Sequence, residues 1–104
     1  MNLEAIVTEA FQAARKAEAD FRAKYGEPWY CGFAWVNITP GNCQMANYLK
    51  KNGHARKSYD RGVDVWNPGG SCTQSMDIKE AGAGAFAEVL RKHGIKAYAR
   101  SRAD

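Results

Sequence analysis

The chain holds 104 residues, 45% hydrophobic and 25% charged, with ten glycines and three tryptophans. That composition excludes a disordered, collagen-like or low-complexity chain, and the length fits a single domain over residues 1–104 that buries about 65% of the surface its unfolded chain exposes. The net charge is +4, no run approaches the roughly 18 apolar residues of a membrane span, and no basic leader precedes an apolar stretch. The three cysteines, Cys31, Cys43 and Cys72, never take CxxC spacing, so the expected protein is cytoplasmic, with reduced thiols, no membrane partner, no metal and no cofactor.

In chain order, Leu3, Val7, Ala10, Ala14, Ala17 and Phe21 recur at spacings of three and four, widened by Ile6 and Phe11. They predict an amphipathic helix over residues 3–24. Glu4 and Glu9 toward its start and Arg22 and Lys24 near its end complement the macrodipole, and Tyr25-Gly26 followed by Pro28 stops it. The alanine-rich stripe suits packing on a sheet better than a coiled-coil seam. Residues 29–38 predict a strand with Trp29, Cys31, Phe33 and Trp35 on one face and Tyr30, Ala34, Val36 and Ile38 on the other. Two apolar faces imply a central strand, or one whose second face meets a ligand or another subunit. Thr39 to Asn42 read as a turn with Asn42 as a candidate cap, and Met45, Ala46 and Leu49 as a short helix ending at Asn52-Gly53.

Residues 56–66 predict the second strand, clearest from Gly62 to Trp66; a tight turn over Tyr59 to Gly62 is the alternative, splitting the segment into a hairpin. Asn67 to Ser75 is the most loop-like stretch. A second long helix follows over residues 76–92, with Ile78, Ala81, Ala85, Phe86, Val89 and Leu90 on one face. Asp77 and Glu80 fit a capping-box spacing, and Ser75 is the other candidate cap. Two glycines inside this helix cost about 1 kcal/mol each against alanine, which close packing would offset. His93-Gly94 ends it, and residues 95–101 predict the last strand, with Ile95, Ala97 and Ala99 facing one way and Lys96, Tyr98 and Arg100 the other. The α-β-(α)-β-α-β order predicts an α+β two-layer sandwich: a three-stranded, mainly antiparallel sheet with two long helices on one face and the other face at least partly open.

Charge is unevenly placed along these elements. Lys50, Lys51, Arg56, Lys57 and Arg61 stand against one carboxylate, Asp60, and Arg91, Lys92, Lys96, Arg100 and Arg102 against Asp104. Localised positive charge attracts phosphates or acidic partners, and aromatic rings interleaved with cations on a sheet suit single-stranded nucleic acid. Tyr59, Trp66 and Tyr98 are the stacking candidates, with Lys96, Arg100 and Arg102 joining the first basic segment as phosphate contacts. If the second and third strands are neighbours, the two basic segments merge into one wall; if they are far apart, this reading weakens. The competing reading is that each tryptophan fills the core and each cation serves solubility. The aromatic signature of an RRM and the GXXG loop of a KH domain are both absent.

The stretch Gly69, Gly70, Ser71, Cys72, Thr73 and Ser75 leads into a helix N-terminus, where glycine backbone and hydroxyls suit a phosphate, although no Gly-Lys-Ser/Thr of a Walker A loop is present. An ordinary capped strand-to-helix connection explains it equally. Cys72 is the best-placed thiol, but nothing in the sequence ties His54 or His93 to it as a base, and no catalytic residue is assigned. Asp60 and Asp64 read as surface charges.

The runs GVDVWNPGG, QSMDIKEAGAGAFAEVL and YARSRAD resemble small uncharacterised bacteriophage-encoded proteins, over roughly residues 29–104. The resemblance implies expression inside a bacterial host cell and a small binding protein acting on nucleic acid, a nucleotide or a host protein; it assigns no activity and transfers no catalytic residue. The expected function is therefore a non-enzymatic module for an anionic partner, foremost nucleic acid or another polyanion. The alternatives are a protein-interaction module that forms a homodimer or modulates a host protein, and a nucleotide binder or enzyme centred on residues 69–75.

Overall fold

The computed structural model describes residues 2–70 and 75–103. Among these residues the chain forms three helices and four strands: α1 (Leu3–Tyr25), β1 (Gly32–Thr39), α2 (Gln44–Lys51), β2 (Arg56–Lys57), β3 (Val63–Trp66), α3 (Met76–Lys92) and β4 (Lys96–Ala103). The class is α+β, as the alternation of periods predicts, but the sheet has four strands rather than three. The segment 56–66 divides at its turn into β2 and β3. Gly62 makes that turn, at φ 72°, and a side chain there would strike the Ile38 carbonyl.

The strand order is β2-β3-β1-β4, antiparallel throughout. β1 is therefore central among the strands that carry long pairings. Its alternate residues Ala34, Val36 and Ile38 point inward with Val63, Val65 and Ala97, and meet Ile6, Val7, Ala10 and Ala14 of α1, Met45, Ala46 and Leu49 of α2, and Ala83, Phe86, Ala87 and Leu90 of α3. All three helices thus cover one face of the sheet and leave the other uncovered. α3 buries Ala83 and Ala87 where the periodicity favoured Ala81 and Ala85, because it is gripped between α1 and the sheet and needs small residues on two sides.

The caps follow local chemistry. Asn2 accepts from the Ala5 N–H at the start of α1, and Ser75 from the Ile78 N–H at the start of α3. For α2 the cap is Cys43, whose thiol accepts from the Ala46 N–H, and not Asn42. His93 closes α3 and reaches Glu9 of α1, Nε2 to Oε1 3.1 Å, beside the Lys92–Glu9 ion pair. Trp29 and Tyr30, expected in the first strand, precede it; only Cys31 touches the sheet margin, through an isolated bridge to Ser75. Among the described residues no helix is long and apolar enough to cross a membrane.

Candidate nucleic-acid interface

The uncovered face is written by strand alternation. If Ala34, Val36 and Ile38 point inward, then Phe33, Trp35 and Asn37 point outward, and pairing brings their cross-strand neighbours to the same side. Trp35 stands between Trp66 of β3 and Arg100 of β4; Asn37 stands between Asp64 and Tyr98; Phe33 faces Arg102; Thr39 faces Lys96; and Arg56 faces Asp64 at the β2 edge. The centre of the face is aromatic. Trp35 and Trp66 lie with ring centroids 4.7 Å apart at 30°, and Phe33 meets Trp66 edge-on at 6.4 Å and 77°.

Cations border these rings. The Arg102 guanidinium is 5.9 Å and the Lys79 ammonium 5.2 Å from the Phe33 centroid, and Arg91 lies 5.6 Å from that of Tyr98 while donating to the Ala97 carbonyl at 2.8 Å. Trp66 and Tyr98 nonetheless remain 40% and 57% exposed. Two of the three stacking candidates named from sequence, Trp66 and Tyr98, are therefore available on this face, Tyr59 is not part of it, and Phe33 and Trp35 add to the two.

The basic segments do not merge. β3 and β4 are separated by β1, and β2 and β4 occupy opposite margins of the sheet, three strand spacings or about 14 Å apart. That exceeds the Debye length of about 8 Å at physiological salt, so the margins act as two rims and not one wall. Lys50 and Lys51 belong to the last turn of α2, and Lys57, opposite the inward Val63, does not share the outer face; of the first segment's strand residues only Arg56 does. Tyr59 is fully exposed in the β2–β3 turn with Asp60 and Arg61. Among the described residues none of Lys50, Lys51, Arg56, Lys57, Arg61, Lys96, Arg100 and Arg102 takes part in an ion pair.

Asp64 is a correction. It is 7% exposed, not a surface charge, and its Oδ1 accepts from Asn37 Nδ2 at 2.9 Å; the same amide donates to the Arg61 carbonyl at 2.6 Å. Asn37 carried no sequence signal, since its partners lie 24 and 27 positions away. A second unforeseen residue is Glu18, 4% exposed on the inner side of α1, whose carboxylate lies against Gly69 and Gly82. Of the possible phosphate loop, Gly69, Gly70 and Ser75 are described, while Ser71, Cys72 and Thr73 lie outside the described residues. Ser75 serves as a helix cap, and Gly69 is buried against the carboxyl group of Glu18. Among the described residues no group of three His, Cys, Asp or Glu side chains is placed to hold a metal ion. No family model, no curated protein and no solved structure matches the chain.

Proposed function

We propose that the uncovered sheet face binds single-stranded nucleic acid, with bases stacked on Phe33, Trp35, Trp66 and Tyr98 and phosphates held by Lys96, Arg100 and Arg102 along β4. The observation that carries this reading is the register that sets the rings of β1 and β3 beside Arg100 and Arg102 of β4, neither of which takes part in an ion pair among the described residues. Stacking contributes about 1–3 kcal/mol per base and tolerates any sequence, while the cations supply the salt-sensitive part. Duplex DNA offers its bases only at their edges, so a face of aromatic rings favours unpaired strands.

Titration with an oligothymidine strand of about 12 nucleotides at low salt tests the proposal, because tryptophan emission should be quenched as bases stack. Trp66→Ala should weaken binding by about 1–3 kcal/mol. Absence of quenching and of any mobility shift at roughly 50 mM salt overturns the reading. A homodimer through the same face is the competing occupant; light scattering that reports a dimer whose dissociation exposes the tryptophans would favour it instead.

A further inference from the structure

A carboxylate on a face of cations is out of place if phosphates are all that the face receives. Asp64 lines a cleft of about 310 Å³ at the β2 margin together with Gly53, His54, Ala55, Arg56 and Trp66, a volume at the lower end for small-ligand clefts. Its orientation is fixed from behind: Asn37 holds Oδ1 at 2.9 Å, and the Arg61 carbonyl holds Asn37 at 2.6 Å. Arg56 is its cross-strand neighbour, yet the two form no ion pair among the described residues. An acid and a base that line one cleft without engaging each other leave both to a guest. The exposed Trp66 indole stands beside them.

We infer that this cleft selects the base of one nucleotide in the bound strand, and that the base is guanine. The inference rests on the nucleic-acid reading above and sharpens it. Asp64 is acceptor-only when ionised, so it receives the edge richest in donors. Guanine presents N1–H and the N2 amino group side by side and satisfies a carboxylate with two bonds. Cytosine and adenine present an amino group next to a ring acceptor that repels the second oxygen. Thymine and uracil present one N–H between two carbonyls. Trp66 supplies the stacking plane, and Arg56 contacts the adjoining phosphate.

The test uses the whole chain and four single strands of about 12 nucleotides: oligothymidine, and the same strand with a central guanine, cytosine or adenine. The guanine strand should bind about tenfold tighter than oligothymidine. Asp64→Asn keeps the acceptor for Asn37 and the shape of the side chain, so it should bring the ratio of guanine-strand to oligothymidine affinity to one; a purely structural Asp64 would leave that ratio intact. Equal affinity of the unaltered chain for all four strands overturns base selection without touching the stacking face. Retention of the guanine preference in Asp64→Asn overturns the role of Asp64. Failure of every strand to bind overturns both readings together.

Discussion

Gly82 and Gly84 lie two residues apart in α3, and the structure gives them opposite consequences. A Cβ on Gly82 would collide with the carboxylate of Glu18, which also lies against Gly69. A Cβ on Gly84 would meet nothing within 4 Å. Gly82→Ala should therefore cost about 1–3 kcal/mol through overpacking, whereas Gly84→Ala should stabilise by roughly 0.5–1 kcal/mol through helix propensity. Urea denaturation of the two variants checks the pair; equal shifts of one sign would show that Glu18 does not fill the space. The need for close packing at these glycines is legible in the sequence, but not the group that fills it. Glu18 continues the row Ala10, Ala14 on the buried side of α1, and residue type hides what position reveals.

Between elements, the contact of α1 with α3 has an electrostatic part that depends on pH. Lys92 first and His93 second hold the Glu9 carboxyl below its ordinary value of 4.5 by hydrogen bonding. Because the folded value lies below the unfolded one, this contact stabilises the fold above the ordinary value and is lost as pH falls through the lowered folded value. The melting temperature of Glu9→Gln should accordingly sit slightly below that of the unaltered chain at neutral pH and converge with it in acid; divergence on acidification would contradict the assignment. At the start of α3, Ser75→Ala removes a cap and should cost about 1 kcal/mol in thermal unfolding. Both long helices and their ends are readable from periodicity and caps, because those signals are local. Alternation along residues 32–39 gives two faces for β1 but not which neighbour lies across from each side chain, and so hides the Asn37–Asp64 pair. Trp29 and Tyr30 continue the apolar alternation of β1 in sequence, yet among the described residues the pairing with β4 ends at Gly32 and Ala103.

For the molecule as a whole, strand order decides how charge is displayed. Pairing of the second and third expected strands would have made one basic wall; inserting β1 between β3 and β4 yields two rims with rings between them, and no local pattern encodes that insertion. The three cations of the β4 rim predict a slope of about −2 for log affinity against log salt, which Arg100→Ala should reduce in magnitude by about 0.7. A slope near zero, measured by titration at several salt concentrations, would detach the rim from binding. β1 has a further consequence for how this protein can change. Its even positions 34, 36 and 38 hold the interior together and its odd positions 33 and 35 furnish the exterior, so a slip of one residue would turn Phe33 and Trp35 inward and Val36 and Ile38 to water. A library randomised at positions 33 to 36 and 38 should sort by parity: positions 33 and 35 returning folded proteins, positions 34, 36 and 38 returning chains that fail to fold.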